Sequence, residues 1–440
     1  MDNKQRWDLA GWVAERARQA GAGDVAVNLG VSREVEVSHR DGKVENLKES
    51  AQNTLQLEIY ASGRYSAHAT NDLRRQTLEK FIASAVAMTR YLTEDPYRRL
   101  PDPSLYQGRS DADLQIHDPA IATLTIEERL RRVREAEAAA RAVSDRIISA
   151  TASTSDAQQE NLKLHSNGFS GEQREAYCTL AVEATVDDRH GGRPEDFAYA
   201  VTRRLADLPA AAAVGEEAAR RALAKIGQVK ISTGTYDLLV ENRAAGRLIS
   251  AVLGPMSARS VQQKNSCLDG KLGKKIASEK LTAADDPFIS GGLGSRLFDS
   301  EGISARKRTM IEAGVLKQFY IDNYYGRKLG WKPTGGSLSN LGFSLGLRPL
   351  SDMIREVKKG VWIENFIGGN SNATTGDFSF GLMGFEIVDG ALARPVNEMN
   401  LTGNLESFWN RLVELGSDAF AYSPVRVPSL WFKEIELSGL

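Results

Sequence analysis

Hydrophobic positions recur along this chain with two periods, and the switches between them mark out its elements. Residues 5–20 set Trp7, Trp12 and Val13 among charges in a helical pattern. The alternation in "EVEVSH" then predicts a half-buried strand, and Asp41-Gly42 predicts a hairpin turn whose central residues take positive φ. "TLQLEIYASGRYSAHAT" continues the sheet with Leu55, Leu57 and Ile59 on one face, and residues 72–92 return to helix. From Glu94 to Ala120 the pattern lapses into an extended connection with four prolines. A helix follows, with Thr125 and Glu128 at capping-box spacing and a stripe of Ile126, Leu130, Val133 and Ala140. Strand patterns resume at "RIISATAST", "NLKLHS" and "AYCTLAVEATVDD", with a turn at Asn167-Gly168, and "GEEAARRALAKIG" is again helical. Helix, strand, turned hairpin and long strand thus occur at 5–70 and again at 126–187, a loose echo that suggests a structural duplication.

After about Lys230 glycine becomes dense and the strands short. "KRTMIEAGVLKQFYID" predicts a hairpin about Ala313-Gly314, and "FGLMGFEIVDGALARPV" another about Asp389-Gly390. "VWIENFIGGNSNATTGDFSF" supplies two strands around a polar loop. Helices are expected at 242–258, 322–329, 350–358 and 404–414. The fold class is α+β: a mixed N-terminal α/β region with antiparallel hairpins, and a strand-rich C-terminal domain. The expected division is an N-terminal domain at 1–93, a linker at 94–120, a central α+β domain at 121–229 and a C-terminal domain at 230–440.

Composition narrows the function. Of 440 residues 42% are hydrophobic, yet no apolar run approaches the ~20 residues that cross a bilayer. The charged N-terminus lacks the apolar stretch of a secretory signal, so the expected location is the cytoplasm. With 56 basic and 57 acidic residues the formal charge is −1. "GKLGKK" and "ARKR" sit near acids, which argues against direct nucleic-acid binding. Cys178 and Cys267 are too few for a disulfide framework or a structural zinc site. The sequons "NAT" at 372–374 and "NLT" at 400–402 are read as chance matches.

The five histidines, His39, His68, His117, His165 and His190, show no metal-ligand spacing on one helix, and each is read as a surface or hydrogen-bonded residue. "SGGLGSRLF", "GKLGKK" and "GGSLS" each fail a cofactor or nucleophile motif. A Ser-His-Asp triad is neither singled out nor removed by spacing. In "NFIGGNSNATTGDFSF", Gly368 and Gly369 permit close backbone approach, and Asn370, Ser371 and Asn372 present polar groups. The segment suits either an extended peptide held by main-chain hydrogen bonds or an ordinary glycine-bearing loop. "ENRAAGRLISAVLGPMSARS" at 241–260 follows a strand pattern, a common place for a metal or a catalytic acid, yet it offers no metal donor between Ile249 and Gly254.

"SEKLTAADDP", "DSEGISARKRTMIEAGVLKQFYIDNYYGRKLGWKPTGG", "NFIGGNSNATTGDFSFGLMGFEIVDGALARPV" and the N-terminal "SREVEVSHRDGKVENLKES" together resemble the TldD/PmbA family, whose older label is modulator of DNA gyrase. TldD-like members resemble metallopeptidases with His-Glu-x-x-x-His on a helix and a cysteine near the C-terminus; PmbA-like members, also called TldE, lack the motif and pair with TldD. By the resemblance, Ile249 and Gly254 stand at the histidine positions and Ser250 at the glutamate position. No histidine follows His190, and the last 26 residues, 415–440, hold no cysteine. The resemblance therefore implies the PmbA/TldE type, with no catalytic residue and no metal in this chain. It further implies a cytoplasmic heterodimer whose TldD-like partner holds zinc and which degrades unfolded or extended peptides, with Gly368, Gly369, Asn370 and Asn372 near the peptide channel.

Two other readings remain. One is a homodimeric, metal-free protein that binds peptides without cutting them. The other is a hydrolase with an unrecognised nucleophile.

Overall fold

The structure is a computed structural model and describes residues 1–440. Its first half is a helix–three strands–helix unit built twice. The first copy comprises α1 (Asn3–Gln19), β1 (Asp24–Arg40), β2 (Lys43–Ala61), β3 (Arg64–Thr70) and α2 (Arg75–Thr89). The second comprises α3 (Ile126–Ala142), β4 (Ile147–His165), β5 (Ser170–Val186), β6 (Glu195–Thr202) and α4 (Ala211–Ala224). One six-stranded antiparallel sheet joins them in the order β3-β2-β1-β4-β5-β6, symmetric about the β1–β4 pair. The echo in the sequence thus corresponds to a repeated unit. The β1–β2 turn takes its predicted form, with Asp41 and Gly42 at φ 51° and 82°.

All four helices cover one face of this sheet. Val25, Val27 and Leu29 of β1, with Leu55, Leu57 and Ile59 of β2, pack under α1 and α2. Val35 and Val37, with Leu180, Val182 and Ala184, pack under α3 and α4. Polar residues on that buried face are met by partners from the helices. Asp156 of β4 takes two bonds from Arg129 of α3, both 2.7 Å, Glu160 takes Arg6 of α1, and His39 meets Glu137 of α3. Residues 94–120 run from the β2–β3 turn to β5, bonded on the way to the C-terminal half through the Leu105 and Leu114 carbonyls, with Leu100, Leu114 and Ile116 buried. The Asn323 side chain holds the Arg99 carbonyl at 2.7 Å.

The second half opens with β7 (Gly234–Val240), α5 (Asn242–Leu253) and α6 (Ala258–Gln262). The short strands β8 (Ala283–Asp285), β9 (Arg308–Glu312) and β10 (Val315–Leu316) precede α7 (Asn323–Leu329), β11 (Leu341–Phe343) and α8 (Leu350–Glu356). The long strands β12 (Lys359–Ser371), β13 (Asp377–Val388) and β14 (Ala391–Asn404) follow. The chain ends with α9 (Leu405–Trp409), β15 (Leu412–Leu415), β16 (Val425–Arg426) and β17 (Leu430–Ser438). Two sheets result, in orders β10-β9-β8-β11-β16 and β14-β13-β12-β7-β17-β15, around one large core. The fold is α+β with a strand-rich C-terminal region, as expected. Both predicted C-terminal hairpins are present, with positive φ at Ala313, Gly314, Asp389 and Gly390.

Two predicted helices are shorter than expected. Residues 242–258 are helical only to Leu253, because Gly254 and Pro255 stop the run. Residues 404–414 hold one short helix, and Leu412–Leu415 form a strand instead, since pairing with β17 overrides local helical preference.

The Arg129–Asp156 pair is almost fully buried, at 1% and 4% exposure. Breaking it leaves a carboxylate in the interior without its cation. Arg129→Met is expected to destabilise by about 3–5 kcal/mol, read as a lower urea midpoint. Adding Asp156→Leu should recover part of the loss, and a single variant as stable as the parent would remove this bolt from the account.

Candidate functional site

The C-terminal end of β7 lies in the middle of the third sheet, parallel to β12, and α5 starts directly after it. The helix is amphipathic. Ala245, Leu248, Ile249 and Val252 face the core, while Arg247, Ser250 and Gly254 face out. Ile249 is 4% exposed. Beside it is a hollow of about 20 Å³ lined by 11 residues, every one hydrophobic, among them Met256, Leu281, Met310 and Trp409. Ser250 donates its hydroxyl to the Gly246 carbonyl at 2.8 Å, and Gly254 caps the helix. A divalent cation needs nitrogen, oxygen or sulfur donors converging on one point. Hydrocarbon, a satisfied hydroxyl and a glycine do not provide them, so zinc does not fit here.

The glycine pair sits against this same helix. Gly368 and Gly369 form a bulge in β12, where the ladder to β13 shifts register between Ile367 and Asn370. Both take positive φ, 62° and 81°. At Gly369 a Cβ would lie 2.1 Å from the Ser379 carbonyl oxygen, so the close approach demands glycine. Arg247 of α5 donates to the Gly369 carbonyl at 2.8 Å, its guanidinium 4.9 Å from the Phe380 ring centre. Residues 368–372 are exposed. Asn370 returns to the ladder opposite Ser379. Asn372 turns its side-chain oxygen inward to accept from the Thr374 amide at 2.9 Å, shaping the 372–376 turn. Gly368, Gly369 and Asn370 therefore lie close to the helix carrying Ile249 and Ser250, while the Asn372 carbonyl group serves the turn.

Sequence reasoning missed the residues that hold this assembly from below. Arg221 of α4 forks onto Glu241, the residue that caps α5, with bonds of 2.9 and 2.6 Å, and lies 3.3 Å from Glu364 of β12. Lys225 lies 3.0 Å from Asp196 of β6, and Arg243 stacks 4.6 Å from the Phe197 ring centre. Three acids and three bases from both halves of the chain are thus interleaved. Burial pushes the Glu364 carboxyl up to about 7 despite the attraction of Arg221. The "GEEAARRALAKIG" and "ENRAAG" patterns gave the helices, but not that their charges point inward at one another.

The histidines lie away from α5. His39 is buried against Glu137, and His165 Nδ1 shares a hydrogen bond of 3.0 Å with the Tyr106 hydroxyl, with burial pushing the imidazole down to about 3 and so keeping it neutral. Both cysteines are free thiols, and burial pushes Cys178 up to about 11.

Residues 233–439 match the PmbA/TldA metallopeptidase C-terminal domain, and residues 119–226 match the central domain of the same family. The chain is 29% identical to the metalloprotease PmbA of Escherichia coli O157:H7 over 410 residues, covering 92% of this chain and 90% of that one. A crystal structure from Bacteroides thetaiotaomicron, whose description names a modulator of DNA gyrase, superposes with a TM-score of 0.97 at 36% identity over 100% of both chains. TldE from Thermococcus kodakarensis superposes with a TM-score of 0.88 at 20% identity, covering 98% of this chain and 100% of that one, a likeness of fold.

Two outcomes follow from the geometry. Glu364 titrates near 7 in the folded chain, above the usual 4.5. The folded state then binds the extra proton between those values, so this residue's contribution favours folding at low pH and is lost as pH rises through 7. Glu364→Gln should gain urea midpoint relative to the parent as pH is raised from about 5 to about 8, and an unchanged difference would contradict it. Gly369→Ala should open the bulge and free Arg247, detected as faster amide exchange in residues 366–380; unaltered exchange would mean the bulge tolerates a side chain.

Proposed function

The chain belongs to the PmbA/TldD family, and from that premise we propose that it is the TldE-type, non-catalytic subunit of a heterodimeric zinc metalloprotease acting on unfolded or extended peptides. The observation that carries this reading is the apolar surround of Ile249. Where the resemblance requires a histidine, this chain has a side chain that lines an apolar hollow with ten other hydrophobic residues. In this reading the ion, and the water it activates, belong to a TldD-like partner. This chain contributes walls and backbone. The exposed bulge at Gly368 and Gly369, pinned by Arg247, supplies main-chain groups beside which an extended peptide can align. No helix is long and apolar enough to cross a membrane, in keeping with work in the cytoplasm.

Purification alone and together with a TldD-like chain tests the proposal. The chain alone should carry no stoichiometric zinc and cleave no unfolded peptide, whereas the mixture should do both. Chelator-resistant cleavage by the lone chain would overturn it, and a homodimer indifferent to any TldD-like chain would favour a metal-free peptide binder. Ile249→His combined with Ser250→Glu and Gly254→His should stay inactive and melt lower, because an imidazole would enter a hydrocarbon layer with no ion to satisfy it. Hydrolysis by that triple variant would show that a supporting shell persists.

A further inference from the structure

The face of the first sheet turned away from its helices carries a separate feature. Alternation sends Ala26 and Asn28 of β1 to that face. Ala26 lies between Glu58 and His165 on the neighbouring strands, and Asn28 between Gln56 and Lys163. Ala26 is too short to fill the layer, and a largely enclosed hollow of about 150 Å³ remains above it. Ser300, Glu301, Asn323 and Tyr324 form its roof, and residues 98–101 its rim. A cavity of this size admits a molecule as large as benzene.

Its ionisable groups do not pair with one another. Glu58 accepts from the Tyr60 hydroxyl at 2.9 Å, and Glu301 from the Asn323 amide at 2.8 Å. Lys163 donates to the Ser300 carbonyl. Lys163 feels the field of both carboxylates, yet none of the three groups has an ion-pair partner within 4.0 Å. Burial, reinforced by Asp299, Asp322 and Glu58, pushes the Glu301 carboxyl up to about 8, so near neutral pH it ionises only when a cation enters beside it, and burial pushes the Lys163 ammonium down. Asn28 Oδ1 is buried without a donor, its amide nitrogen being turned to Gln56 at 3.3 Å. The remaining cation that lines the cavity and is not exposed, Arg98, is engaged over the rings of Tyr65 and Tyr324 at 4.7 and 3.6 Å.

Acid at the β2 edge, base at the β4 edge and an orphaned acceptor between them describe the complement of a small zwitterion. We propose that this hollow binds a free α-amino acid, its ammonium held by Glu58, Glu301 and Asn28 Oδ1 and its carboxylate by Lys163. A singly charged ligand leaves one side unpaired, which is unfavourable in an enclosed site. This hollow shares no lining residue with the one beside Ile249 and includes none of the glycine bulge, so this binding does not rest on the subunit role proposed above.

Titration calorimetry on the full chain tests it, with glycine, L-alanine and L-leucine as probes and propylamine and propionate as singly charged controls. At least one amino acid should bind, with both controls about tenfold weaker or more. Lys163→Met and Glu301→Gln should each weaken binding by about tenfold or more. Ala26→Leu, which fills the floor without replacing any ionisable residue, should abolish binding while leaving the circular dichroism spectrum unchanged. No saturable binding of the three amino acids up to about 10 mM, or propylamine binding as tightly as L-alanine, would overturn the proposal. Full affinity in Lys163→Met, Glu301→Gln or Ala26→Leu would equally overturn it.

Discussion

The fork of Arg221 onto Glu241 is the contact on which the geometry around α5 depends. Glu241 ends β7 and starts α5, so a guanidinium from α4 fixes where the first half of the chain meets the start of that helix. A guanidinium stays charged at any relevant pH and presents two parallel donors, so it sets orientation as well as distance. Glu364 brings β12 to the same point, and β12 carries the glycine bulge whose carbonyl Arg247 holds. The start of α5 and the strand that carries the bulge are thus tied to the first half of the chain through one buried group. Removing Arg221 from this cluster would leave the carboxylates of Glu241 and Glu364 without their cation.

The chemistry beside Ile249 is consistent with that rigidity. Burying an isoleucine is favourable by about 1.5–3 kcal/mol. A ligand set without its ion would instead leave imidazole or carboxylate groups in the same space with nothing to satisfy them. Hydrocarbon at 249 and the wholly apolar lining around it are therefore one feature seen from two sides: each neighbour is suited to the other and to no cation.

Much of the fold was legible because it rests on local chemistry. Asp41-Gly42, Ala313-Gly314 and Asp389-Gly390 each need positive φ at adjacent residues, and the turn type follows from that need. The failures came where distant pairing decided the outcome: Leu412–Leu415 became a strand only because β17 lies beside it. In the site, Gly368 and Gly369 could be noticed from composition. Arg247 could not, because one arginine on a helix face carries no sign of a carbonyl 122 positions later. Polar residues such as Asp156 and Glu160 blurred the alternation of β4, since the helices supply their partners from far along the chain.

The two faces of the first sheet share strands and alternation, yet treat buried charge differently. On the helix face, Arg129 answers Asp156, Arg6 answers Glu160 and Glu137 answers His39. The fold evidently supplies counter-charges where it buries charges. On the opposite face Glu58, Lys163 and Glu301 stand around open space without forming a pair, and Ala26 keeps that space open. If the charges served only to attach the C-terminal half, direct pairing across the layer would do so better, and a larger residue at 26 would exclude water. Unpaired groups grouped around a hollow of small-molecule size instead point to something that enters from solution and completes them.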